Sequence, residues 1–150
     1  MGDINWRDKC WVATIFLINE ENKVLLTWNK NLQNWIPVGG HIDEGETPEE
    51  AVSREVAEET GFDFTLLSPS KNKSNDVKII NNHWVQIEDV PHHNKHMNFV
   101  FFGKCIAWNS ETKTTDEDEK LRWFTKEELE NEKGMLESVK SSSLYALTLN

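Results

Sequence analysis

Glu55, Glu58 and Glu59 stand three and four residues apart, a spacing that puts all three on one stripe of a helix. Like charges so arranged destabilise a helix by roughly 0.2–0.5 kcal/mol per pair. Glu58 and Glu59 also fall in the last turn expected of that helix, where the macrodipole disfavours anions by about 0.3–1 kcal/mol each. Arg54, four residues after Glu50 and four before Glu58, offsets part of this repulsion but cannot neutralise the stripe. Ala51 lies one turn before Glu55 on the same face and leaves room above it. The arrangement makes chemical sense if a divalent cation fills it, because hard cations such as Mg²⁺ take oxygen ligands. The competing reading is a solvated acidic face, which is the usual meaning of an isolated Glu-Glu pair.

The element that must carry these residues is well delimited. Thr47 as N-cap, Pro48 at the first helical position and Glu50 three residues after the cap form a strong helix start. Gly61 supplies the stop, so the helix is expected from Pro48 to Thr60. Upstream, Trp11–Ile18 and Lys23–Trp28 read as an antiparallel hairpin across Asn19–Asn22. Trp35–Val38 reads as a short strand entering a turn at Gly39-Gly40. Downstream, Phe62–Leu67 is expected as a strand, 68–76 as an exposed polar connection, and 77–87 as two strands turning at Asn81-Asn82. Met97–Trp108 is a long apolar run expected as a central strand buried on both faces. An acidic loop follows to Lys120, then a strand at Leu121–Phe124. Thr125 with Glu128 makes a second capping box for a helix over 126–131, and a last helix over about 136–148 carries Leu136, Val139, Leu144 and Leu147. Strands flanking a central helix imply an α/β fold, a mixed sheet covered by helices. With no repeat and no linker in its 150 residues, the chain reads as one domain over 1–150.

The stretch from Gly40 to Phe62 resembles the signature of the Nudix hydrolases, a family that includes MutT-like proteins. That signature is a glycine, five residues, Glu, seven residues, Arg-Glu, an aliphatic residue, any residue, Glu-Glu, any residue, Gly and an apolar residue. Gly40, Glu46, Arg54, Glu55, Val56, Glu58, Glu59, Gly61 and Phe62 fill every specified place. Trp35-Ile-Pro-Val-Gly39 and Leu121–Leu129 also look like the family. The resemblance implies a Nudix-type α/β/α sandwich with a mixed β-sheet. It implies hydrolysis, with Mg²⁺ or Mn²⁺, of the pyrophosphate linkage in a nucleoside diphosphate joined to another moiety. It gives Glu58 and Glu59 as metal ligands, with the Gly39 carbonyl joining them. Crowding of three carboxylates raises the proton affinity of one of them, so Glu55 is expected either as a ligand or as general base. Similar proteins place the base in a later loop, where Asp116, Glu117, Asp118 and Glu119 are candidates and Glu117 is preferred. Arg54 and Glu46 read as residues that orient the catalytic groups.

Other residues bear on the substrate. Trp35 and Trp28 lie near the expected pocket mouth and suit base stacking, against core packing as the plainer reading. His92, His93 and His96 lack helical metal-ligand spacing, so contact of His96 or Lys95 with a substrate phosphate is the functional reading and an exposed loop the plain one. His41 edges the pocket with no catalytic role assigned. The residues after Phe62 offer neither the proline of ADP-ribose hydrolases (Val77 stands there) nor the tyrosine of diadenosine polyphosphate hydrolases, since the only tyrosine is Tyr145. The coenzyme A hydrolase pattern is also absent from Val24–Gly39. A modified or canonical nucleoside triphosphate, an NDP-sugar and a capped RNA end stay open, the last disfavoured by the charge. A nucleotide-sensing or scaffold protein that kept the fold without catalysis is the alternative class, disfavoured because no acidic position of the signature is missing. Isomerisation of an isoprenoid diphosphate is a third, without residues of its own to support it.

The formal net charge of −10 argues against a duplex nucleic acid surface, which needs clustered cations, and equally against anionic membranes. It is compatible with a nucleotide-derived small molecule whose charge a metal neutralises. No apolar run approaches the ~20 residues of a membrane span, and the start of the chain resembles no cleaved signal, so a cytoplasmic protein is expected, monomeric or homodimeric. Cys10 and Cys105, in separate apolar segments, read as reduced, buried thiols.

Overall fold

The computed structural model describes residues 10–67, 69–71, 74–90, 95–106 and 120–150. Its strands are β1 (Cys10–Ile18), β2 (Val24–Asn29), β3 (Asn34–Ile36), β4 (Val38–His41), β5 (Phe64–Leu66), β6 (Trp84–Glu88), β7 (His96–Cys105) and β8 (Leu121–Phe124). Its helices are α1 (Pro48–Glu59), α2 (Lys126–Asn131) and α3 (Glu137–Thr148). The eight strands form one mixed sheet built around β1 and β7, which run parallel in register from Cys10↔His96 to Ile18↔Lys104. β1 meets β2 only at its far end, through Leu17 and Ile18, and meets β4 along Val12–Ile15. β2 carries β3 and β8, while β5 and β6 share the other edge of β7.

Period-two alternation sorts the core into two layers. Ala13, Ile15 and Leu17 of β1 face α1 and its buried Ala51, Val52 and Val56. Phe16 and Ile18, with Val100 and Phe102 of β7, face α2 and α3 through Leu129, Val139 and Leu147. The result is the expected α/β/α sandwich, and β7 is the strand buried on both faces that its apolar run predicts.

Four expectations need correction. Gly39-Gly40 is not a turn but the middle of β4, with Gly39 opposite Thr14 and Gly40 opposite Ala13; Pro37 is what separates β3 from β4. Residues 77–83 form no strand, and only Trp84–Glu88 pairs there, since Asn81 turns its N–H to the Glu49 carboxylate at 2.5 Å. Leu136 is the exposed N-cap of α3 rather than part of its buried face. Cys105 is buried but Cys10 only partly so. The two cysteines stand nine residues apart along parallel strands, roughly 30 Å, which excludes a bridge between them.

Candidate active site

Local sequence sets the Glu-bearing helix as expected. The Thr47 hydroxyl accepts from the Glu50 N–H, and the Glu50 carboxylate accepts from the Thr47 N–H, both at 3.2 Å. At the other end Gly61 takes φ 71°, the left-handed conformation, and donates to the Val56 and Ala57 carbonyls. The loop before α1 closes on itself: the Asp43 N–H donates to Glu46 Oε1 at 2.8 Å, and the Glu46 N–H donates to the Asp43 carbonyl at 3.0 Å.

Arg54 is the hub of the site. Its Nε and Nη2 donate to the two Glu46 carboxylate oxygens at 2.8 and 3.0 Å, a bidentate pair. Nη1 donates to Glu55 Oε1 at 3.0 Å and to Glu58 Oε2 at 3.2 Å. Nη2 also donates to the His41 carbonyl at 3.1 Å, and Asp43 lies 3.4 Å from Nε. This clustering of anions raises the Arg54 pKa further above its ordinary value, Glu46 being the chief cause. Hydrogen bonds from Arg54 and from the Asp43 backbone hold the Glu46 carboxyl below the usual carboxylate range.

Glu55 lies over β4. A Cβ built on Gly40 would stand 2.6 Å from Glu55 Oε1, so the carboxylate occupies the space a side chain at position 40 would take. Gly39 has φ +150°, and a Cβ there would meet the Ala13 carbonyl oxygen at 2.2 Å. The diglycine thus lets the backbone that carries the Gly39 carbonyl run directly under the helix. Among the three glutamates, Glu58 is exposed while Glu55 and Glu59 are partly buried. Among the described residues no three His, Cys, Asp or Glu side chains converge tightly enough to grip an ion, and the Arg54 guanidinium bridges Glu55 and Glu58. The stripe is therefore tied by arginine rather than closed into a cage. Its donors are nonetheless carboxylate and carbonyl oxygens, the set that suits a hard divalent cation, and the Gly40 cradle keeps one carboxylate fixed.

The other candidates are placed as follows. Trp35 is half-buried and meets Trp28 and Phe124 edge-on, at 5.3 and 5.2 Å, on the layer that faces α3. His96, first residue of β7, contacts the His41 ring at 5.5 Å, which brings it beside Gly40. Lys95 pairs with Asp89. Glu117, its acidic neighbours 116–119, His92 and His93 lie outside the described residues. Two features were not read from the sequence. Asp43 joins the Arg54 cluster, and Glu88 with Asn98 forms a polar group beside His96. The clue to the second was a polar residue at alternate positions, 86 and 88 and again 96 and 98, within strands of otherwise apolar character.

A mixed sheet between helical layers, with an arginine-tied glutamate helix seated on a diglycine strand, defines a class of α/β/α protein whose chemistry is concentrated at one helix–strand junction. The sequence matches the NUDIX domain model over residues 9–145, and the chain belongs to the Nudix family. A NUDIX-family hydrolase from Clostridium perfringens superposes with a TM-score of 0.80 at 29% identity, over 93% of this chain and 96% of that one. A MutT protein from Methanosarcina mazei Go1, 18% identical with a TM-score of 0.65 over 94% of each chain, shares the fold. Among sequence relatives, an RNA pyrophosphohydrolase of Tolumonas auensis is 40% identical over 62 residues, 39% of this chain and 35% of that protein. The m7GpppN-mRNA hydrolase dcap-2 of Caenorhabditis elegans is 32% identical over 101 residues, 67% of this chain and 11% of that protein. The chain thus spans about a third or less of the length of these curated relatives. Among the described residues no helix is long and apolar enough to cross a membrane.

Proposed function

We propose that this protein hydrolyses the pyrophosphate linkage of a nucleoside triphosphate or a related nucleoside diphosphate derivative, by attack of water at phosphorus. The observation that carries this reading is the Arg54 hub, which fixes Glu46, Glu55, Glu58 and the His41 carbonyl in one cluster against Gly40. A structural helix face has no need of a guanidinium that gathers four acceptors while the backbone beneath is cleared of side chains.

The residues that would hold Mg²⁺ or Mn²⁺ are Glu55, Glu58, Glu59 and the Gly39 carbonyl. A bound divalent ion would neutralise pyrophosphate charge and make water easier to deprotonate. The chain's own part is positional. Arg54 and Glu46 hold the carboxylates so that they need no reorganisation when substrate arrives. Glu55, pinned on Gly40, is placed to accept a proton from water, with Glu117 as the rival base. His96 is the candidate for direct contact with the substrate, and Trp35 for base stacking. The negative charge of the chain supports a small nucleotide substrate over a long nucleic acid, whereas the RNA pyrophosphohydrolase and the m7GpppN-mRNA hydrolase among its relatives are named for RNA and keep a triphosphate or capped RNA end as the second reading.

The test is product release from a panel of nucleoside triphosphates, NDP-sugars and bridged dinucleotides with Mg²⁺ and Mn²⁺, comparing wild type with Glu58→Gln and Glu55→Gln. Glu58→Gln is expected to lower turnover by at least ~10². Full activity in that variant rejects the site, and a wild type inert across the panel favours a nucleotide-sensing role. Inorganic pyrophosphate plus a monophosphate would mark a triphosphate substrate; two phosphorylated fragments would mark a bridged one.

A further inference from the structure

On the sheet face that α3 shares, opposite the one the glutamate helix covers, β1, β6 and β7 present polar side chains where the same strands are apolar further along. Asn98 is 2% exposed, and both ends of its amide are used: Oδ1 accepts from the Thr14 hydroxyl at 3.1 Å and Nδ2 donates to Glu88 Oε2 at 2.8 Å. The same Glu88 oxygen accepts from Gln86 Nε2 at 2.5 Å, and Gln86 Oε1 accepts in turn from the Trp84 indole at 2.9 Å. The other Glu88 oxygen, Oε1, faces His96 Nδ1 at 3.6 Å. Burial alone would raise the Glu88 pKa, but His96, Asn98 and Gln86 outweigh it and hold the carboxyl below its ordinary value. Glu88 is therefore an ionised hub with one oxygen saturated by two amide donors and the other turned to one imidazole. The chain of contact continues from His96 to the His41 ring, and from the His41 carbonyl to Arg54.

We propose that Glu88 is a positioning residue, fixing His96 with its Nδ1–H toward the carboxylate so that Nε2 is left as an acceptor for an N–H or O–H group of the substrate. The substrate half of this inference rests on the hydrolase reading above; the orientation half does not. Where the hydrolase reading holds, a bare carboxylate next to His96 would repel an approaching anionic substrate. Committing its outward oxygen to His96 turns that charge into a fixed hydrogen-bond acceptor for an imidazole. A ladder that merely joined three strands would need the Asn98 and Gln86 bonds but would not care which His96 nitrogen carried hydrogen.

That difference gives the test. In Glu88→Gln the two amide donors, Asn98 and Gln86, select the carbonyl end of the new side chain, so its NH₂ must face His96 Nδ1. His96 then has to accept at Nδ1, and its neutral ring switches to the Nε2–H form. Long-range ¹H–¹⁵N correlation on histidine-labelled full-length protein reads this directly, above the pH at which the ring is protonated. The expected result is the Nδ1–H form in wild type and the Nε2–H form in Glu88→Gln, with melting temperatures of both recorded as a control. In hydrolysis, loss of one oriented hydrogen bond is expected to raise KM about five- to tenfold with kcat changed less than about twofold. His96→Gln should raise KM as much, and the double variant no more than His96→Gln alone. The same tautomer in both proteins, or additive effects on KM, overturns the proposal. A wild type that hydrolyses nothing would sink the functional reading and the KM half with it, while the tautomer measurement still decides whether Glu88 positions His96.

Discussion

Arg54 and the diglycine before the helix divide the work of the site between them. Lysine at position 54 keeps the charge but offers one point donor where the guanidinium serves Glu46, Glu55, Glu58 and the His41 carbonyl together. Arg54→Lys is therefore expected to lower kcat/KM by about 10–100-fold, the usual cost of losing an outer-shell orienter. Steady-state kinetics beside an unchanged circular dichroism spectrum check it; wild-type kinetics would mean the hub is ornamental. The two glycines should fail differently. Gly40→Ala drives a methyl group against Glu55 Oε1, the end of a side chain, so the protein should fold and lose activity. Gly39→Ala meets the Ala13 backbone at a φ that L-residues avoid, so at least ~2 kcal/mol of stability should go as well. Thermal melts and hydrolysis measured on both variants separate these outcomes, and equal melting temperatures would contradict the assignment.

Elements whose ends are written in side chains were legible. The capping boxes at Thr47/Glu50 and Thr125/Glu128 placed α1 and α2 because the signal lies within four residues of chain. Thr47→Ala should cost about 1 kcal/mol, seen as a melting temperature lower by about 2–4 °C in a chain of this size. No shift would mean that α1 is held by the sheet alone. What failed to be legible was decided by distant partners. A Gly-Gly pair reads as a turn locally, and only the ladder to Thr14 and Ala13, more than twenty residues upstream, makes it a strand. Residues 77–83 have strand-like composition, but Asn81 is captured by Glu49 and Lys78 lies 3.9 Å from Glu50, so that the segment follows α1 instead of a ladder. The acidic stripe was legible as a set of residues, with Arg54 as its orienter at i,i+4 spacing to Glu58, whereas the bond from Arg54 to its neighbour Glu55 depended on rotamers that no spacing rule supplies. The Glu88–Asn98 pair was invisible for a related reason: its members are ten residues apart and meet only through the β6–β7 register.

At the scale of the whole molecule the perturbed carboxylates and His83 act in one direction as pH falls, while the buried Cys105 thiol, pushed up to about 11, removes stability as pH rises above 9. Glu46, Glu50, Glu88 and Glu128 are all held below the ordinary carboxylate value of 4.5 by hydrogen bonds that the unfolded chain lacks. Above 4.5 these groups are ionised in both states and their stabilisation is complete. Below it the unfolded chain takes up protons first, and stability falls until the folded values are passed. His83 adds an earlier step. Its ring lies edge-on to Phe102 at 4.8 Å with both nitrogens buried, and burial lowers its pKa below 6.5. The unfolded chain therefore binds this proton first as pH drops through 6.5, and stability declines there too. Loss of negative charge toward the isoelectric point near 4.9 relieves self-repulsion and works against the decline without removing its cause. Urea midpoints are accordingly expected to be level between about pH 7 and pH 9, to fall gently below 6.5 and to fall steeply below 4.5. His83→Phe, which keeps an aromatic ring against Phe102, should flatten the first limb and leave the second intact. A midpoint that rises between pH 7 and pH 4, or a first limb unchanged in the variant, would show that the pH dependence is set elsewhere in the chain.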